Sequence, residues 1–212
     1  MELDRVSIPV VPGLRERKKH ATRTAIHDGA MRLFDARGFA GTTIDQIAEA
    51  ANVSRATVFS YYPTKEAIVF GEAPQAIEAL AAALAGTPAG SVVPAVREWL
   101  RPLTGWLEPD LLLQRRLARD VPVVGARRLQ IFRDVEGVVA EALERERGPG
   151  EHLAARLAAA SLMAALGVAE DAAAARMEQD ERALTDAEID AFLDAAVAFA
   201  EAGMAGLKAR GD

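Results

Sequence analysis

Arg55, Ala56, Thr57, Ser60 and Tyr61 fall within seven residues at spacings that leave them on the outer side of a short helix. The chemistry open to that set is reversible recognition. A guanidinium fork can donate two bonds to the O6/N7 edge of guanine, which discriminates against other bases by roughly 1–3 kcal/mol. Ala56 and Thr57 suit a thymine methyl or a phosphate. Lys65 follows in the first turn of a further helix, where a cation opposes the helix dipole and so invites a functional reason. A helix start also attracts an anion. Upstream, Arg15, Arg17, Lys18, Lys19 and Arg23 form a basic run. In isolation such a run is a solvated face, but beside a recognition helix it neutralises phosphates or enters a minor groove.

Catalytic chemistry has little to work with. The chain has no cysteine and only His20, His27 and His152, and neither HExxH, GxSxG nor P-loop spacing occurs. No enzyme, metal site or cofactor is expected.

The elements that must position these residues can be read locally. Thr43 and Gln46 have capping-box spacing, and Ile44, Ile47, Ala48 and Ala51 share the inner face of the helix they open. Asn52 stands where the chain turns sharply, a place for positive φ. Ser54 caps the next helix, which turns Val58 inward with Val53. Phe59 and Tyr62 are available for packing. A first helix over residues 14–37 carries Ala25, Ile26, Ala30, Leu33 and Phe34 at helical spacing and stops at Gly38. Phe39 then folds back. The unit is a helix-turn-helix, whose second helix aims its first residues at base edges.

With 212 residues, 50% of them hydrophobic, the chain can bury a full core. The net charge of −6 is unevenly spread: residues 1–66 hold ten Lys/Arg against eight Asp/Glu, and the remainder 15 against 23. Only the N-terminal part suits a phosphate partner. The absence of an apolar leader and of 18 uninterrupted apolar residues points to the cytoplasm and away from a membrane.

Helical patterning predicts an all-α protein of about nine helices. Residues 1–13 read as a disordered arm, 14–66 as the DNA-binding domain, and 67–212 as a helical bundle for ligand binding and dimerisation. A helix from Lys65 to Leu84 should kink or split at Pro74. Others are expected over 91–107, 110–119, 123–147, 150–175 and 186–209.

The run from Ala25 to Ile68, above all Thr43-Ile44-Asp45-Gln46-Ile47-Ala48 and Val53-Ser54-Arg55-Ala56-Thr57-Val58-Phe59-Ser60-Tyr61-Tyr62-Pro63-Thr64-Lys65-Glu66-Ala67-Ile68, closely resembles the tetracycline-repressor (TetR) family of bacterial transcriptional regulators. Asn52 departs from the glycine usual at that turn. The resemblance implies phosphate contacts from Lys65, Tyr61 and one of Thr42 and Thr43. It also implies a homodimeric repressor, released from a double-stranded DNA operator by a small effector. Arg115-Arg116-Leu117, Pro122 and Ala126-Arg127-Arg128-Leu129 look like the subgroup with acyl-CoA-like ligand domains, which includes mycofactocin-system regulators. A drug or aromatic effector, or a helical interaction module without DNA binding, are the alternatives.

In the C-terminal part Trp99, Leu103 and Trp106 form one stripe, which either packs a bundle core or lines a cavity for a flat or greasy ligand. Phe132, Met163 and Leu166 are expected to face it. Arg127 and Arg128 suit either an anionic head group or ion pairs with Asp134 or Glu136. Leu157, Ser161 and Ala165, then Ile189, Phe192, Ala196 and Phe199, mix small and large side chains as a two-fold helix interface does.

Overall fold

The computed structural model describes residues 14–208 except 72, 89, 108, 109 and 183, without the side chains at 16, 102–107, 204 and 206–208. The expected arm at 1–13 lies outside the described residues. The chain divides into two compact units, one ending at Gly71 and the other beginning at Glu72. Every regular element among the described residues is helical.

The first unit contains α1 (Leu14–Arg37), α2 (Ile44–Ala50), α3 (Arg55–Tyr61) and α4 (Lys65–Val69). Helix α1 stops because Gly38 takes φ +74, a left-handed conformation that costs glycine nothing, and donates its N–H to the Phe34 carbonyl at 3.0 Å. Phe39 then returns to the core with its ring centroid 5.1 Å from that of Phe34. Ile26, Ala30, Phe34, Ile47, Val58, Tyr62 and Ile68 are buried together in this unit. Each large side chain withdrawn from water stabilises it by about 1.5–3 kcal/mol. Helix α4 belongs to this head because Ile68 and Val69 are fully buried and the Ile68 carbonyl meets His27 Nδ1 at 2.8 Å.

The expected single helix from Lys65 to Leu84 is two helices, so the described residues form ten in all. The break falls at Phe70-Gly71, where Gly71 takes φ +47, and not at Pro74. Pro74 sits in the first turn of α5 (Ala73–Ala85), where its missing N–H has no helical partner to lose.

The second unit packs α5, α6 (Val92–Leu107), α7 (Leu111–Asp120), α8 (Pro122–Arg147), α9 (His152–Asp180) and α10 (Asp186–Lys208). Leu80, Leu84, Val96, Val139, Leu143, Ala159 and Leu162 lie in its main core, and Ala173, Met177, Leu184, Ile189 and Leu193 in a smaller one. Arg97 donates to Asp194 at 2.6 Å and Arg101 to Asp190 at 3.2 Å, tying α6 to α10. Helix α9 is long and apolar enough to cross a membrane by length and composition. Its inward face, Ala155, Ala158, Ala159, Leu162 and Met163, packs in the main core.

The start of α10 carries a pH-dependent contribution. Thr185 Oγ1 accepts from the Glu188 N–H at 3.3 Å, and the Glu188 carboxylate accepts from the Thr185 N–H at 2.9 Å and from Arg182 at 2.7 Å. The Arg182 bond first, and the two Thr185 bonds next, hold the Glu188 carboxyl well below the usual carboxylate range. A carboxylate with a lowered folded pKa stabilises the fold above its unfolded value, and that contribution drains away as pH falls towards the folded value. Glu188→Gln is therefore expected to lower the urea midpoint at pH 7. The gap to wild type should narrow from about pH 4 downward, whereas a gap independent of pH would contradict this reading.

Candidate nucleic-acid interface

The turn between α2 and α3 is built from local hydrogen bonds. Thr43 Oγ1 accepts from the Gln46 N–H at 3.3 Å while Gln46 Oε1 accepts from the Thr43 N–H at 2.9 Å, a complete capping box. Asn52 takes φ +53, and Ser54 caps α3 by accepting from the Thr57 N–H at 3.0 Å. Within α3 only Val58 is buried, and Tyr62 just beyond it is buried too. The rest of the helix therefore faces outward: Arg55, Ala56 and Ser60 are exposed, and Thr57 and Tyr61 half-buried.

Phe59 corrects the sequence expectation. It is 42% exposed on this outer face, because Val58 and Tyr62 already fill the inner side, and the Arg55 guanidinium lies over its ring at 5.4 Å. Arg55 also reaches back to α2, where its Nη1 donates to both Asp45 oxygens at 3.1 and 2.9 Å.

Beside α3 the first helix presents cations. Arg15, Lys18 and Lys19 are exposed, and with Arg23, Ser60 and Tyr61 they line a shallow groove of about 730 Å3. The Arg23 guanidinium sits 5.6 Å from the Tyr61 ring centroid and 5.4 Å from that of Tyr62, fixing the groove floor to the end of α3.

Two expected surface contacts turn inward. Thr42 is 1% exposed, and its hydroxyl donates to the Leu33 and Gly38 carbonyls at 3.2 and 2.9 Å, so its side chain closes the loop after α1. Thr43 stays exposed as the helix cap. Lys65 Nζ donates to the Phe39 and Thr42 carbonyls at 2.6 and 2.9 Å and lies 4.2 Å from the Phe39 ring centroid. Burial pushes its ammonium below the usual lysine value, against an opposing pull from Glu66. The misplaced cation thus has an internal explanation: it satisfies loop carbonyls. Lys65→Ala leaves those two carbonyls without their donor and is expected to destabilise the head by about 1–3 kcal/mol in chemical denaturation. An unchanged midpoint with weaker duplex binding would instead assign Lys65 to phosphate alone.

A capped helix-turn-helix with a polar, arginine-bearing outer helix and a cationic flank coincides with a family match. Residues 26–70 match the description "Bacterial regulatory proteins, tetR family". The N-terminal unit carries a tetR-family segment. The chain is 42% identical over 84 residues to the HTH-type transcriptional regulator TcmR of Streptomyces glaucescens, a match covering 40% of this chain and 37% of that one. It is 33% identical over 110 residues to the HTH-type transcriptional regulator RutR of Escherichia coli, covering 52% and 47%. The match thus spans less than half the length of either curated relative. Among solved structures, Thermus thermophilus FadR in complex with lauroyl-CoA aligns over 86% of this chain and 94% of that one, at 26% identity and a TM-score of 0.50. The relatives are named as transcriptional regulators, not as enzymes.

In the second unit, Trp99, Phe132 and Leu166 are partly buried against the main core, to which Met163 belongs. Leu103 and Trp106 carry side chains outside the described residues. Arg128 pairs with neither Asp134 nor Glu136: its Nη2 donates to Glu170 on α9 at 2.7 Å, its guanidinium lies 4.6 Å from the Phe132 ring centroid, and Arg115 joins the same carboxylate and Asp171.

The expected interface residues separate. Leu157, Ser161 and Phe199 are exposed, and Ala165 half-buried. Ile189 and Ala196 are buried in their own chain, Ile189 in the smaller core with Phe192 packed against it, so these do not lie on a free face. Leu153 and Val168, 70% and 69% exposed, extend the outward stripe of α9 through Leu157, Ser161 and Ala164. Of these Leu153, like Asp45, was not singled out by the sequence reading. Exposure of large apolar side chains at helical spacing is the property that marks the stripe.

Proposed function

We propose that the protein is a homodimeric DNA-binding transcriptional regulator, a repressor that leaves a pseudo-palindromic operator when a small hydrophobic or acyl-CoA-like effector binds the C-terminal unit. The observation that carries this reading is the outer face of α3. A helix that buries only Val58 and turns Arg55, Ala56, Thr57 and Ser60 outward beside the cationic groove of α1 is suited to the major groove, with phosphates meeting Arg15, Lys18, Lys19 and Tyr61. Thr43 adds a hydroxyl at the start of α2.

A single such helix reads few base pairs, and a second copy supplies the other half-site. The apolar stripe of α9, with Phe199 on α10, supports a two-fold interface, because water-exposed side chains of that size gain from being covered. The acyl-CoA class is supported by the likeness to FadR, whose structure holds lauroyl-CoA. Arg115 and Arg128 supply cations on α7 and α8 of the effector unit. The effector can shift operator affinity only as far as it prefers one arrangement of the dimer over another.

Salt tests the electrostatic half of this account. Duplex affinity measured across ionic strengths should fall along a log–log line with a slope of about −0.9 per neutralised phosphate. A flat line would contradict the phosphate-facing role of the α1 groove.

A further inference from the structure

Arg55 is held at two points before any nucleic acid is present. Nη1 alone makes both bonds to Asp45, at 3.1 and 2.9 Å, and the guanidinium plane lies over Phe59, one helical turn further along α3. Neither contact is explained by stability. The ion pair is open to water, with side-chain exposures of 58% and 68%, and exposed pairs change a folding constant by less than about fivefold. Phe59 is a large ring left 42% exposed on a helix whose other outward residues are small or polar. The arrangement does have a consequence for recognition. A free arginine must lose rotamer freedom when it docks on a base edge, whereas one already clamped through Nη1 loses less. The clamp uses one nitrogen, so the Nε and Nη2 donors are not engaged by Asp45.

We propose that Asp45 on α2 is a positioning residue for base selection: with Phe59 beneath, it orients Arg55 so that the Nε–Nη2 edge meets a purine, and it does so without itself contacting the base. This rests on the DNA-binding reading above. The first turn of α2, where Asp45 lies, thereby influences sequence discrimination exerted from α3.

The test begins with the preferred duplex selected by the wild-type chain, and with the base pair in it whose preference is lost in Arg55→Ala. Affinities are then compared for that duplex and for one changed only at that pair. In Asp45→Asn, which keeps the shape and removes the charge, discrimination at that pair is expected to fall by about fivefold or more. Preferences at other pairs and the thermal midpoint should stay as in wild type. Asp45→Glu should recover part of the loss, and adding Asp45→Asn to Arg55→Ala should cost nothing further. Unchanged discrimination in Asp45→Asn, or an equal further loss in the Arg55→Ala background, would overturn the positioning role while leaving the DNA-binding reading intact. A wild-type chain with no preferred duplex would overturn both.

Discussion

Replacing Leu157 and Phe199 together by glutamate is expected to give a folded monomer that binds the operator roughly a hundredfold or more weakly than wild type. Both side chains are exposed in the single chain, at 46% and 68%, so the change removes nothing from its cores. In a two-fold interface the same positions would place four carboxylates out of water without partners, at several kcal/mol each. Once the dimer is lost, the second half-site contact is no longer intramolecular. The effective concentration that linkage supplies accounts for factors of about 10²–10⁴. Light scattering gives the mass and titration of a labelled operator gives the affinity. A double variant that stays dimeric would move the interface away from α9 and α10.

The second large effect is expected from Arg55→Ala. Its side chain is exposed and bonded only to a solvated carboxylate and a surface ring, so the head should keep its melting temperature. Selectivity should fall by about 1–3 kcal/mol at a single base pair, the worth of a bidentate arginine–guanine contact. Binding to unrelated duplexes should change far less, because Arg15, Lys18 and Lys19 remain. Competition between the preferred duplex and a scrambled one measures the ratio. If the ratio were unchanged, base reading would have to be reassigned to Ala56, Thr57, Ser60 or Phe59.

What could be read from the amino-acid order alone was what neighbours within a turn decide. The Thr43–Gln46 box and the Ser54 cap follow from side chains bonding backbone three residues away, and the turn at Asn52 and the stop at Gly38 from the low cost of positive φ for those two residue types. Helix identity and most boundaries followed from the same short-range rules. The contacts that escaped are longer in sequence. Lys65 meets carbonyls 23 and 26 residues away, Thr42 Oγ1 meets Leu33 nine away, and Arg55 meets Asp45 ten away. No local pattern announces them. The helix break went to Gly71 because a proline in a first turn disturbs little, while the left-handed glycine ends a helix outright. In α9 and α10, alanine occurs all round, so periodicity marked stripes without telling inward from outward. Ile189 and Ala196 were therefore grouped with Leu157 and Phe199, although the first pair is buried and the second exposed.

The most direct measurement is selection of bound duplexes from a random-sequence pool by the 212-residue chain. The account predicts enrichment of an inverted repeat whose half-sites are centred about one helical turn apart or a multiple of it. A pool that emerges without any enriched sequence would contradict it.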